Sequence, residues 1–136
     1  MRGIFLDTGV WVASMNRKDP LHGRAKEIIE AHVAWPFVAT DYVLNETVTL
    51  LRRWLGPATA VGFGRKFLDG DVGELVNCEE ADLREGLRLI ETFKEHDVSL
   101  TDGTSVAVIR RREIQKVASF DTHFRVMLPD REIIGR

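Results

Sequence analysis

Short apolar runs alternate along this chain with longer segments whose apolar positions recur at helical spacing. The short runs have the length of buried strands, and the longer segments have the period of amphipathic helices. The predicted strands are 3–6, 37–39, 72–76, 98–100, 116–120 and an edge strand at 133–134. The predicted helices are 8–15, 20–33, 42–55, 57–68, 79–96 and one after residue 102 that contains 106–109 and ends near 110–112. This alternation predicts an α/β fold with a mostly parallel sheet.

Proline and glycine mark several of these boundaries. Pro20 suits the first turn of the second helix, Pro36 ends that helix, and Pro57 opens the fourth. Gly62 and Gly64 lie inside the fourth helix and weaken it, because glycine is a poor helix former.

Three of the predicted strands are followed by an aspartate. Asp7 follows the first strand, Asp102 the fourth and Asp121 the fifth. The carboxyl ends of parallel strands lie at one edge of a sheet, where ligands bind in open α/β folds. We therefore expect the three carboxylates to share one crevice. An aspartate after a strand is also a common helix N-cap, but capping gives no reason to select these three strands.

Carboxylates held close together repel each other, so one of them would have to stay protonated unless a cation joined them. Mg²⁺ and Mn²⁺ take oxygen ligands of this kind. The pattern therefore predicts a site for a hard divalent cation at the crevice.

Glu46 is a fourth acidic candidate, and its position in the third predicted helix leaves its role open. It lies at the border of the apolar stripe formed by positions 43, 47, 50 and 54. From periodicity alone, the side chain either lies at a solvated edge or points into the crevice.

The composition limits the class of protein. A chain of 136 residues with a net charge of −2 fits one domain, residues 1–136, without the global basic field of many duplex-binding proteins. The single cysteine, Cys78, excludes an intrachain disulfide and a multi-cysteine zinc site. We expect a cytoplasmic protein, because no signal peptide and no apolar run of membrane-spanning length is present.

Four segments carry the acidic candidates: FLDTGVWVA at 5–13, ATDYVLNETVTLL at 39–51, SLTDGTSVAVI at 99–109 and VASFDTHF at 117–124. In this order and spacing they resemble the PIN domain family and, within it, the VapC-type toxin nucleases. The resemblance covers essentially the whole chain and implies a PIN-like (Rossmann-like) three-layer α/β/α sandwich. Gly103 departs from the family, because many members carry alanine after the third acid.

The resemblance implies a metal-dependent endoribonuclease whose acidic quartet is Asp7, Glu46, Asp102 and Asp121. Asp7 and Asp102 are expected to bind one Mg²⁺ or Mn²⁺ ion, and Asp121 to complete the ligand set directly or through water. Glu46 is expected to place or deprotonate the attacking water, or to contribute to a second metal. Thr8 matches the family's hydroxyl beside the first acid, as a substrate-contacting or supporting residue. The expected products are a 5′-phosphate and a 3′-hydroxyl.

The resemblance also implies partners. A VapC-type toxin is held by a cognate antitoxin, and we expect a basic residue of that partner to enter the acidic crevice. A homodimer is expected, formed through the second-to-fourth helix region. Two alternatives stay open: a PIN nuclease of RNA processing without an antitoxin, and a catalytically idle PIN interaction module. The intact quartet argues against the idle module.

Other residues allow competing interpretations. Arg17 and Lys18, in the loop after the first helix, are the strongest basic candidates for substrate contact. The run 110–112 could hold phosphates, although basic residues at a helix C-terminus more often complement its dipole. His123 is interpreted as a surface turn residue, and Trp54 as part of a dimer or antitoxin surface.

Two other folds with acids near strand ends fit poorly. Asp7, Thr8 and Gly9 form the triplet of aspartic proteases, but those need an all-β body and here an apolar helical segment follows. A phosphate-receiver domain needs adjacent early acids and a lysine after its last strand, where this chain has Asp121.

Overall fold

One parallel sheet forms the centre of the computed structural model, which describes residues 2–135. The strands are β1 (Ile4–Leu6), β2 (Phe37–Thr40), β3 (Glu74–Val76), β4 (Lys116–Ser119) and β5 (Glu132–Gly135). Their order across the sheet is β3-β2-β1-β4-β5, and every pairing between them is parallel. The central strand β1 is fully buried, as a strand covered on both faces must be.

Helices cover both faces of this sheet. They are α1 (Thr8–Met15), α2 (His22–Ala31), α3 (Asp41–Leu55), α4 (Pro57–Leu68), α5 (Glu80–Thr92), α6 (Leu100–Arg111) and α7 (His123–Met127). Helices α1 to α4 connect β1, β2 and β3 in one direction across the sheet, and α5 to α7 connect back to β4 and β5. Because such crossovers are right-handed, the two groups lie on opposite faces.

The predicted α/β/α sandwich is therefore confirmed, with its edge strand near 133–134 present as β5. None of the helices within residues 2–135 is both long enough and apolar enough to cross a bilayer.

The predicted strand at 98–100 is wrong. Val98 and Ser99 lie in a loop, and Leu100 is the first residue of α6. Ser99 is the N-cap: its Oγ accepts a hydrogen bond of 3.0 Å from the Asp102 backbone N–H, and its own backbone N–H donates to Asp102 Oδ2 at 3.1 Å. This reciprocal pair is a capping box, so Asp102 lies in the first turn of a helix and not at a strand end.

Helix α7 was not predicted from the sequence, because its five residues are too few to show a helical period. It begins at His123, directly after the turn that carries Asp121. The helix predicted for 79–96 is shorter than expected and ends at Thr92.

Trp11 anchors the first strand and helix to the rest of the core. Its indole Nε1 donates a hydrogen bond of 2.9 Å to the carbonyl oxygen of Leu6. Its ring meets those of Phe37, Phe63 and Phe67 edge-on, at centroid distances of 5.5–6.0 Å. Such contacts fix the position of α1 against β1 and α4, and with it the turn that carries Asp7.

Two glycines allow α5 and α6 to approach closely. A Cβ atom on Gly103 would lie 2.8 Å from the Cα and carbonyl oxygen of Gly86, and one on Gly86 would lie 3.1 Å from the backbone nitrogen of Thr104. The neighbouring atoms are mostly backbone, which cannot move aside as a side chain can. This packing accounts for the glycine after Asp102.

We predict that Gly103→Ala destabilises the protein although alanine is the better helix former. Overpacking of about 1–3 kcal/mol outweighs a propensity gain of about 1 kcal/mol. Chemical denaturation measures the change in the free energy of unfolding. Gly62→Ala in α4 is the matched control, because its Cβ would meet no atom within 4 Å. Equal stability of the two variants would contradict this packing argument.

Candidate active site

The acidic crevice lies where the chain leaves the central strands. Asp7 follows β1 and Asp121 follows β4, and these strands are neighbours with Leu6 opposite Ala118. From β1 the chain continues to β2 on one side, and from β4 to β5 on the other. The two acids therefore flank the topological switch point of the sheet, the place where open α/β folds bind ligands.

All four acids of the predicted quartet line one open cavity of about 620 Å³. Asp102 reaches it from the first turn of α6, and the half-buried Glu46 from α3. The cavity is also lined by Thr8, Gly9, Val12, Asp19, Leu50, Trp54, Ser99 and Phe120. The structure thus brings the quartet together, and it places Glu46 at the crevice, which periodicity alone left open.

Asp7 is the most buried of the four, with 8% of its surface exposed. It occupies the N-cap position of α1, but its side chain makes no capping hydrogen bond, so capping does not explain it. Its Oδ2 accepts a hydrogen bond of 3.1 Å from Ser119 Oγ. Burial, together with the charges of Asp102 and Glu46, raises the pKa of the Asp7 carboxyl from near 3.8 to about 7.

The carboxyl of Asp102 is also partly removed from water, which disfavours its charged form. Burial raises the pKa of its carboxyl above the ordinary value, and the charge of Asp121 acts in the same direction. The hydrogen bonds with Ser99 oppose this shift and fix the side chain beside the cavity.

A tight turn holds Asp121 and brings His123 beside it. The backbone N–H of His123 donates to Asp121 Oδ1 at 2.9 Å. The ring nitrogen His123 Nδ1 lies 3.0 Å from the same oxygen and 3.7 Å from Asp102 Oδ2. His123 is therefore part of the acidic cluster and only 19% exposed, so its interpretation as a surface turn residue is wrong.

Ser119 is a residue that the sequence reasoning missed. Its Oγ donates to Asp7 Oδ2 and accepts a hydrogen bond of 3.0 Å from the backbone N–H of Asp121, so it joins two of the acids. Its one sequence signal is its place near the end of the predicted strand 116–120, two residues before Asp121. Asp19 was missed as well, and it lines the cavity from the loop before α2.

Two buried polar atoms at this site have no hydrogen-bond partner among residues 2–135: Thr8 Oγ1 and His123 Nδ1. Thr8 is 4% exposed and lines the cavity. Buried polar groups are normally paired, so these two atoms could each bind a water or an ion.

Arg17 and Lys18 lie beside the crevice. They are exposed and line a second cavity of about 690 Å³, and the two cavities share Val12, Asp19 and Trp54. Trp54 is 63% exposed, so its ring is open to solvent between the two cavities.

The basic run 110–112 has a different role. Arg110 pairs with Asp130, Arg111 with Asp82 and Glu79, and Arg112 with Glu74. These pairs attach the end of α6 to other parts of the fold, and none of the three arginines lines the acidic cavity.

Three comparisons relate this chain to known proteins. The profile of the PIN domain matches residues 4–127. The 23S rRNA-specific endonuclease VapC20 of Mycobacterium tuberculosis is 37% identical over 123 residues, which are 89% of this chain and 91% of that protein. The crystal structure of M. tuberculosis VapC20, a sarcin–ricin loop cleaving toxin, matches with a TM-score of 0.81 and 30% identity, over 91% of this chain and 94% of that one.

A toxin–antitoxin complex from Klebsiella pneumoniae has the same fold. It matches with a TM-score of 0.66 at 15% identity, over 97% of this chain and 96% of that one.

We predict that Asp7→Asn raises the melting temperature of the metal-free protein at pH 8 by several degrees. The pKa of Asp7 is raised by folding, so ionisation costs stability: the cost begins above pH 4 and is complete above pH 7. The cost of ionising Asp7 is at most about 4 kcal/mol, because a change of one in pKa corresponds to about 1.36 kcal/mol. The gain should therefore disappear as the pH falls toward 4. Thermal unfolding in EDTA measures this, with Asp69→Asn, an exposed acid outside the cavity, as the control. A lower melting temperature for Asp7→Asn at pH 8 would refute the charge repulsion.

Proposed function

Because the chain belongs to the PIN domain family, we propose that it is a metal-dependent endoribonuclease, the toxin of a type II toxin–antitoxin pair. The observation that carries this proposal is the meeting of Asp7, Glu46, Asp102 and Asp121 at one cavity beside the switch point of the sheet. An idle interaction module would have no use for acids such as Asp7 and Asp102, whose burial disfavours the charged form. The identity of 37% with a 23S rRNA-specific endonuclease supports RNA as the substrate class.

The residues present fit a divalent cation. One ligand atom each from Asp102, Asp121 and His123 lie within 4.8 Å of one another, and Asp7 lines the same cavity. Burial and neighbouring carboxylates raise the pKa values of Asp7 and Asp102, so a bound cation would stabilise their charged forms. We propose that Asp7 and Asp102 hold Mg²⁺ or Mn²⁺ and that Asp121 completes the ligand set directly or through water.

Residues of this chain then have separate roles in hydrolysis of the phosphodiester bond. A bound divalent cation lowers the pKa of water and offsets charge on the phosphate oxygens. Glu46, across the cavity, accepts a proton from the attacking water or holds that water in place, or else contributes to a second metal. Ser119 orients Asp7 and Asp121 by its two hydrogen bonds. Attack by water yields a 5′-phosphate and a 3′-hydroxyl.

The joined cavities give the RNA a path across the site. Arg17 and Lys18 are placed to bind phosphates on one side of the acids, and Trp54 offers an exposed ring between the two cavities. Cations interleaved with an aromatic ring are typical of surfaces that bind single-stranded nucleic acid. Thr8 is proposed to contact the substrate or to support Asp7.

Two of the similar structures support a proposal for a protein partner. The solved VapC20 is a toxin, and the related fold from Klebsiella occurs in a toxin–antitoxin complex, so we propose a cognate antitoxin whose basic side chain enters the acidic crevice. A homodimer, a cytoplasmic location and a single domain over residues 1–136 stay predictions.

The nuclease proposal is tested by incubating the purified protein with total RNA in Mg²⁺ or Mn²⁺, with and without EDTA. We expect cleavage that EDTA abolishes, that Asp7→Asn abolishes and that Asp69→Asn retains. Glu46→Gln should lower the cleavage rate by about 10²–10⁴-fold, the usual contribution of a general base. Folding of each variant is checked by circular dichroism. Full metal-dependent cleavage by folded Asp7→Asn would overturn the proposal.

The double variant Arg17→Ala, Lys18→Ala is predicted to raise KM for RNA and to leave kcat nearly unchanged. It should also flatten the dependence of log affinity on log salt by about 0.7 for each lost phosphate contact. Arg84→Ala, Lys94→Ala is the matched control, since it removes the same charge from exposed residues of the chain that do not line the cavities. If KM increased equally in the two double variants, the increase would be due to net charge alone, and Arg17 and Lys18 would have no specific role in binding RNA.

A further inference from the structure

We infer that His123 is a ligand of the metal centre through its Nδ1, which makes the centre a mixed oxygen and nitrogen site that favours first-row transition ions over Mg²⁺. This inference rests on the proposed function, because it names a further residue and the metal class of the same site.

The position of the His123 ring is the first observation that supports it as a metal ligand. Nδ1 of His123 lies 3.0 Å from Asp121 Oδ1 and 3.7 Å from Asp102 Oδ2. A ligand atom from each of these residues lies within 4.8 Å of the other two. Three ligands of one metal ion are separated by such distances, because each lies about 2.0–2.3 Å from the ion.

The second step is the unpaired state of Nδ1. The atom is buried and has no hydrogen-bond partner within residues 2–135, although an acidic oxygen is near in distance. That oxygen, Asp121 Oδ1, already accepts the backbone N–H of His123. A ring that only formed an ion pair would be expected to aim an N–H at a carboxylate, whereas an unpaired nitrogen beside two carboxylates has the form of a ligand.

Thr8 provides independent evidence that the site takes an ion or an ion-bound water. The residue is 4% exposed, lines the cavity that holds the acids, and has an Oγ1 without a partner among the described residues. The two unpaired atoms come from opposite ends of the chain, from α1 and α7, and both belong to the site of the acidic cluster.

The fold holds the ring in this place. His123 is the first residue of α7, its backbone N–H is fixed by Asp121, and its ring meets that of His96 edge-on at 6.2 Å between centroids. A ligand held in this way is pre-organised. Mg²⁺ prefers an all-oxygen, near-octahedral set, whereas imidazole suits transition ions.

The test uses Mn²⁺ as a paramagnetic probe on the full chain. Electron spin echo modulation detects a directly bound imidazole nitrogen by its coupling to Mn²⁺. We expect ¹⁴N modulation in the wild type, its loss in His123→Asn and its retention in His96→Asn, the neighbouring histidine. Asparagine places an oxygen near the position of Nδ1, so calorimetry should show Mn²⁺ affinity falling by roughly tenfold or more while Mg²⁺ affinity changes less.

The outcomes separate this inference from the proposed function. Mn²⁺ bound without ¹⁴N modulation in the wild type would overturn the role of His123 and leave the carboxylate site intact. No Mn²⁺ binding, or binding unchanged by Asp7→Asn, would count against the metal centre itself. Because the wild-type spectrum alone decides the first point, a His123→Asn variant that fails to fold does not remove the test.

Discussion

Repulsion between carboxylates at the end of a buried sheet is the constraint around which this structure is arranged. Asp7 and Asp121 come from adjacent parallel strands, and the register that pairs Leu6 with Ala118 brings them to the same edge. Asp7 accepts a hydrogen bond from the neutral hydroxyl of Ser119. Asp121 accepts the backbone N–H of His123, whose ring nitrogen Nδ1 also lies 3.0 Å from the same carboxylate oxygen. Neutral donors of this kind fix the direction of a carboxylate without cancelling its full charge, and this is the basis for the cation that we propose at the site.

Asp102 shows how one side chain meets a structural and a chemical requirement. Its Oδ2 accepts the N–H of Ser99 and so stabilises the first turn of α6, and the same oxygen lies 3.7 Å from His123 Nδ1. The close packing of Gly103 on Gly86 sets the position of that turn. The location of the carboxylate at the cavity is therefore tied to the contact between α5 and α6.

Sequence reasoning recovered the sheet, most of the helices and the acids at true strand ends, because alternation and helical period are local signals. It placed Asp102 correctly for a partly wrong reason: the apolar residues at 98 and 100 suggested a strand, while the spacing of Ser99 and Asp102 marked a helix start. Ser119 and His123 could not be found in the same way. Their roles depend on which strands become neighbours and on a five-residue helix, and neither leaves a period in the sequence.

Positive charge that is available for a substrate lies beside the acidic cavity and is not spread over the whole protein. The net charge is −2, so a nucleic acid is not attracted by the protein as a whole. The arginines at 110–112 are engaged with acids of other elements, where they stabilise the fold. Arg17 and Lys18 make no ion pair within residues 2–135 and lie next to the acidic cavity. Under the proposed function, Arg17 and Lys18 would hold a phosphate backbone beside the carboxylates, and the proposed cation would offset the repulsion between the carboxylates and the phosphates.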